Sequence, residues 1–320
     1  MATMFGSTIL DVVIGVVFLF LALSLVTSML NESIAGFLSL RGRTLEQGVR
    51  SMLNDPAGER LARQVYAHPL VTALTKQTTL DRILRRAPRP PYLPASVFSA
   101  ALMDSIVDTV APDAPDRQKL MAELGNVVVS LPPEYDNIKR GLISLIDDAA
   151  GDARKIKENL EKWFNDSMER VAGWYKRLAQ KITVGVAIVL ALITNADMLM
   201  VANALHRDSA VRGAVSAAAA EAVRSAIPGN SFDSLVAVNN ALTRIDLTDL
   251  PVGWQPKPGS AADPRQAPIT LQGWLAKLAG IAFTIIAVSM GAPFWFNVLG
   301  NIVRLRIDGE PPTTAKGSNP

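Results

Sequence analysis

Three stretches of the chain stay apolar long enough to cross a hydrocarbon layer. Between them the apolar positions fall mostly three or four residues apart. The first stretch, Val12 to Leu30, reads VVIGVVFLFLALSLVTSML, 19 residues without a charge, or roughly 28 Å as a helix. No Lys or Arg precedes it, it exceeds the apolar core of a leader peptide, and no small-residue cleavage pattern follows before Asn31-Glu32. It therefore reads as an uncleaved anchor. The second stretch, Ile182 to Leu205, is interrupted by Thr194, Asn195 and Asp197. The third, Leu275 to Val298, is entered at Trp274 and carries Lys277 near its start. Trp274 and Trp295 lie 21 residues apart, roughly 31 Å along a continuous helix, which is the spacing of two interfacial aromatic belts. Pro293 falls close to the second belt, where a kink costs less than at mid-membrane.

Residues 31–181 form a segment long enough for a core of its own, and its pattern is helical. Leu30, Ile34, Phe37, Leu38, Leu45, Val49 and Leu53 continue the first span as an amphipathic helix, with an irregularity expected at Gly42. Helices are expected at 57–67 (ended by His68-Pro69), 79–86, 95–110, 116–129 and 134–149. Pro88, Pro90, Pro91 and Pro94 interrupt that series with an extended strap, read as a rigid connector rather than a peptide ligand. Over 152–181 the residues Ile156, Leu160, Trp163, Phe164, Val171, Trp174, Tyr175 and Leu178 make one broad apolar stripe. Running on into the second span, this predicts a single helix of about fifty residues. Trp163, Phe164 and Trp174 are its candidate partner face, although a stripe of this kind more commonly packs on its own domain. Beyond the second span, 209–226 is alanine-rich and helical, 231–244 is a short helix, 251–268 is a proline-rich loop and 309–320 a tail.

Composition narrows the chemistry. A mean hydropathy of +0.23 over 320 residues suits a few spans plus an aqueous domain. The absence of cysteine excludes disulfides, thiolate metal sites and a cysteine nucleophile. The two histidines, His68 and His206, stand far apart, and a net charge of +3 argues little for nucleic acid. No phosphate loop, dinucleotide fingerprint, nucleophile elbow or paired-histidine zinc motif is present. Asp147, Asp148 and Asp152 lack calcium-loop spacing and read as a solvated helix end. The expectation is a non-enzymatic chain with no cofactor, metal or evident small-molecule substrate.

Charge also sets direction. Eleven cations lie near the spans on one side: Arg41, Arg43, Arg50, Lys162, Arg170, Lys176, Arg177, Lys181, Arg304, Arg306 and Lys316. Fewer lie on the other, in the 206–273 connection, among them Arg207, Arg212, Lys257 and Arg265. The positive-inside rule then predicts the N-terminus and 206–273 outside and 31–181 with the C-terminus in the cytoplasm. Ionisable groups inside spans are the informative ones, since burying an unpaired charge there costs several kcal/mol. Asp197, Lys277 and Asp11 all fall toward the outer leaflet. An ion pair between Asp197 and Lys277, joined by Asn195 or Asp11, is expected to tie the spans together. Trp274, Trp295, Trp174 and Tyr175 are the candidate interfacial anchors.

SMGAPFWFNVLGNIVRLR, residues 289–306, resembles the ending of a widespread, uncharacterised family of bacterial integral membrane proteins. LNESIAGFLSLRGRTLEQGVRSML (30–53), YLPASVFSAALMD (92–104) and WFNDSMERVAGWYKR (163–177) agree in the same order. Asn165 and Asn297 stand where many relatives would carry aspartate. The resemblance implies a bacterial inner membrane, a few spans and a helical cytoplasmic domain, and supplies no activity.

The sequence thus predicts an all-α integral membrane protein with three transmembrane helices. Its segments are an N-out span (1–30), a helical cytoplasmic domain (31–181), a second span (182–205), a periplasmic region (206–273), a third span (274–298) and a cytoplasmic tail (299–320). The expected role is a membrane-anchored scaffold or interaction subunit whose partners are the lipid bilayer and a protein, or copies of itself. Alternatives are a transporter or channel subunit using Asp197 and Asn195, and a sensor coupling 206–273 to the cytoplasm.

Overall fold

The computed structural model describes residues 3–75, 89–149, 152–225, 231–242, 252–254 and 265–308. The helix expected at 79–86, most of the 251–268 loop and the 309–320 tail lie outside them. Every regular element among the described residues is helical. Two helices, Thr8–Phe37 and Leu271–Ser289, are long and apolar enough to cross a membrane. A third span exists if the bent pair Ala153–Ile193 and Met198–Arg207 counts as one. The chain forms two compact units, Ser33–Ala179 and Met1–Glu32 with Gln180–Pro320.

In the Ser33–Ala179 unit, α1 (Thr3–Phe37) gives way to α2 (Leu40–Met52) at Ser39, which takes left-handed φ 49°. The break thus falls three residues before the Gly42 expected from sequence. Gly42 instead lets the proline strap lie against α2, since a Cβ there would stand 3.0 Å from Arg89 Cβ. Glu46, one turn on along the same face of α2, accepts from both Arg50 and Arg89 and holds the strap there. Then follow α3 (Leu61–Ala67), α4 (Pro69–Thr72), α5 (Ala95–Val110), α6 (Arg117–Ala122), α7 (Leu124–Val129), a 3₁₀ turn at Pro133–Tyr135 and α8 (Asp136–Asp147). The helix expected over 116–129 is two, parted at Glu123, whose backbone leaves the helical region with φ −102° and ψ 29°. The long α9 (Ala153–Ile193) buries Ile156, Leu160 and Phe164, each four apart, in one core with Val49, Leu53, Phe98, Leu102 and Leu142, and buries Val171, seven further on, against Gly48. Phe164 stacks on Phe98 at 4.5 Å between centroids. Of the proposed partner face, then, Phe164 belongs to the core and Trp163 packs beside it, while Trp174 stays 40% exposed.

The other unit holds the apolar parts of α1 and α9 with α10 (Met198–Arg207), α11 (Ser209–Ser225), α12 (Ser231–Leu242), α13 (Leu271–Ser289) and α14 (Ala292–Asp308). Ile14, Phe18, Leu21, Leu205, Val215 and Leu299 meet in its core. Ser24 Oγ donates to Val288 O across 3.3 Å, joining α1 to α13. Two of the expected apolar helices are interrupted here for one reason, that helix-stopping residues win over apolar length. The fifty-residue helix ends at Ile193 and resumes at Met198 with a 50° bend. The third span, expected over 274–298 with a kink or local unwinding at Pro293, stops at Ser289, turns at Gly291 with φ +88°, and restarts at Ala292 with Pro293 in its first turn. Glycine accepts the left-handed angle and proline has no N–H to lose there. Trp274 and Trp295 therefore do not share a helix. Trp295 folds in instead, donating to Ala287 O at 2.6 Å and lying 4.8 Å from the Phe20 ring.

Candidate site at the broken helix

Four residues, Thr194-Asn195-Ala196-Asp197, separate α9 from α10, and their chemistry explains why a break can be buried. Asn195 takes φ +47°, the left-handed angle that asparagine tolerates best after glycine. Ala196 N donates to Ala191 O at 3.0 Å and Asn195 N to Leu192 O at 3.3 Å, the paired bonds of a Schellman stop. Asp197 then starts the next helix. Its Oδ1 accepts from the amides of Leu199 at 2.9 Å and Met200 at 3.3 Å, a side-chain cap that also places negative charge at the positive helix end.

The carbonyls left over at the end of α9 are met by residues distant in sequence. Gly253 N donates to Thr194 O and Trp254 Nε1 to Leu192 O, each at 2.7 Å. Asn195 is fully buried, and its Nδ2 donates to Gly253 O at 2.8 Å and Arg265 O at 3.3 Å. Its Oδ1 is buried with no hydrogen-bond partner among the described residues. From α13, Lys277 sets its Nζ 5.0 Å from the centre of the Trp254 ring, a cation–π contact. One turn on, Gly280 lies so close to Asp197 that a Cβ would fall 1.8 Å from Oδ1.

The sequence-predicted residues are thus only partly brought together. Asn195, Asp197 and Lys277 all surround the break, but Asp197 is held by backbone amides, and no Asp197–Lys277 ion pair occurs among the described residues. Asp11 sits elsewhere in the unit, accepting from Ser216 Oγ at 3.2 Å. Trp274 is 39% exposed. Tyr175, in the Ser33–Ala179 unit, lies beneath the Arg41 guanidinium at 5.6 Å. Trp254 and Gly280 were not legible as site residues: the first sits in an aperiodic loop and the second reads as an ordinary small residue. The one available signal was that Lys277 and Gly280 are three apart and share a helix face.

Beside the break lies a cleft of about 420 Å³, walled by α1, Thr194, Ala196, the start of α10, Val252-Gly253 and Thr284. In the Ser33–Ala179 unit a groove of about 310 Å³ runs between α2, Pro91–Leu93 and α9. In the same unit, burial pushes the Tyr66 phenol well above its usual range and Glu46 adds to the shift, against the smaller opposing pull of Arg89 and Arg50. Among the described residues no three His, Asp or Glu side chains gather as a metal site requires.

These features define an all-helical chain with two helices, or three, fit to cross a membrane. Comparison with protein-family models, curated proteins and solved structures finds no match to it.

Proposed function

We propose that this chain is a membrane-anchored scaffold or interaction subunit of a bacterial inner-membrane assembly, non-enzymatic, with residues 31–181 in the cytoplasm. The supporting observation is the contrast between the surfaces of its two units. In the unit built on the apolar helices, Ile193 (69% exposed), Ile286 (67%), Leu275 (61%) and Phe283 (58%) face outward. Water would make such a surface an aggregation site, whereas lipid tails solvate it. In the Ser33–Ala179 unit α9 turns Lys157, Glu158, Asp166, Glu169 and Arg170 to solvent, and the exposed apolar groups, among them Phe37, Leu70, Tyr92, Val129 and Trp174, come singly from different elements. Exposed aromatics beside a groove are the usual anchors of a protein interface. Crosslinking in native membranes followed by isolation of the full chain tests the reading. A defined partner or self-adduct that weakens with Trp174→Ala supports it; a monomeric detergent particle with no crosslinked species defeats it.

One observation favours a second reading. A broken helix with exposed backbone at its ends is how many transporters build a substrate site, and Asn195 Oδ1, which has no hydrogen-bond partner among the described residues, lies at a break. Because asparagine caps a helix as well as aspartate does, Asp197→Asn keeps the structure and isolates the charge. Loss of flux with assembly intact supports transport, and unchanged assembly with no flux in either form supports the scaffold.

A further inference from the structure

We infer that the cleft beside the broken helix is a binding site for a single hydrocarbon chain, the acyl tail of a lipid or an isoprenoid chain. This rests on the membrane reading above. Leu19, Phe20 and Leu23 of α1, Met198 and Val201 of α10 and Val252 form most of its wall. Its two hydroxyls are already spent on carbonyls four residues back: Thr194 Oγ1 donates to Leu190 O at 2.7 Å and Thr284 Oγ1 to Gly280 O at 3.1 Å. The Gly253 amide in the wall is spent on Thr194 O. Water entering the cleft would meet almost no partners, and apolar cavities stay dry. At about 420 Å³ the cleft is well above the roughly 150 Å³ apolar cavity that accepts benzene. Left empty, it would forfeit the dispersion contacts of its whole lining.

The shape and position select the occupant. The lining comes from five segments, α1, the 194–196 break, α10, residues 252–253 and α13. The cleft's volume of about 420 Å³ is only about that of one turn of a helix roughly 10 Å across, too little to seat a partner helix. Val26, on its rim, is 42% exposed, which gives the cleft a side opening. The wall residues of α1 belong to the middle of its Thr8–Phe37 apolar stretch, at the depth where bilayer tails lie. A linear chain entering sideways satisfies the volume, the chemistry and the opening together.

The test uses the full chain purified in mild detergent, incubated separately with palmitic acid, a diacyl phosphatidylglycerol and a polyisoprenoid alcohol, and read by native mass spectrometry. Leu23→Trp fills the cleft from its wall, and Val26→Trp narrows the rim should the first variant fold poorly. Alkaline carbonate extraction of membranes from the same cells is run alongside. A saturable one-to-one adduct with at least one probe, reduced about tenfold or more by a folded variant, supports the site, and the preferred probe identifies the source of the chain. Retention in carbonate-washed membranes without any adduct, or with many adducts indifferent to both variants, overturns this inference and leaves the membrane reading standing. So does a crosslink placing a second copy of the chain at residue 23. Release by carbonate overturns the membrane reading and the inference with it.

Discussion

Asp55 shows how much one buried carboxylate can organise. It is 4% exposed and accepts from the amides of Gly58, Glu59, Arg60 and Ala62, closing the loop where Asn54 and Gly58 take positive φ. Asp55→Ala leaves those donors without their acceptor, and the expected loss is about 2–4 kcal/mol in denaturant unfolding of the full chain. Tyr66 is the opposite case, a buried hydroxyl with no hydrogen-bond partner among the described residues. Its phenol is pushed up by burial, so the folded chain keeps the proton after the unfolded chain has begun to release it near pH 10. The stability it contributes is complete below about pH 10 and declines above that as pH rises. Tyr66→Phe should be neutral or slightly stabilising near neutrality. It should also shrink the fall in Tm between about pH 8 and about pH 11. Tyr135, raised by its own burial, leaves a residual slope. At the break, Asp197→Ala should cost about 1 kcal/mol by loss of the cap while Asp197→Asn costs little. Because the Asp197 carboxylate serves amides, the double exchange Asp197→Lys with Lys277→Asp should melt no higher than the worse single variant.

Among elements, close approach is decided by glycines. Gly48 of α2 meets α9 so tightly that a Cβ would stand 2.4 Å from Val171 Cγ2. Gly280 of α13 admits the Asp197 carboxylate in the same way. Gly280→Ala must displace either the cap or α13, and the expected result is a lower Tm in detergent and faster proteolysis at 194–197. Proteolysis unchanged from the parent chain would show that the contact yields without consequence. The lengths of α9 and α13 follow the same logic of local chemistry over apolar run. Asn195 with Asp197, and Gly291 with Pro293, stop helices inside stretches that hydropathy alone reads as continuous.

For the whole molecule, those breaks bear on topology. If the bent pair α9 and α10 crosses the membrane as one span, the chain crosses three times; if it turns back, two. The chain has no cysteine, so single cysteines introduced near each end report sidedness without background. Labelling from opposite sides of intact cells is the outcome expected for three crossings, and labelling of both from one side would establish two.

Helicity, the apolar stretches and the core stripe of α9 were legible in the sequence because each depends on neighbours within one or two turns. Ile156, Leu160 and Phe164 announce a buried face by spacing alone. Even the break was signalled, in that Asn195 and Asp197 are residues that end and begin helices. Their meaning was not. Charge and depth favoured an ion pair with Lys277, whereas the folded chain gives Asp197 two amides and sets Lys277 over Trp254, 57 residues from Asp197 in the chain. The cleft, the Gly280 contact and the inward turn of Trp295 likewise depend on which helices pack together. Local hydrogen-bonding and hydropathy are written residue by residue, but packing is a property of surfaces that exist only after the helices have formed, and no spacing within one segment encodes the other.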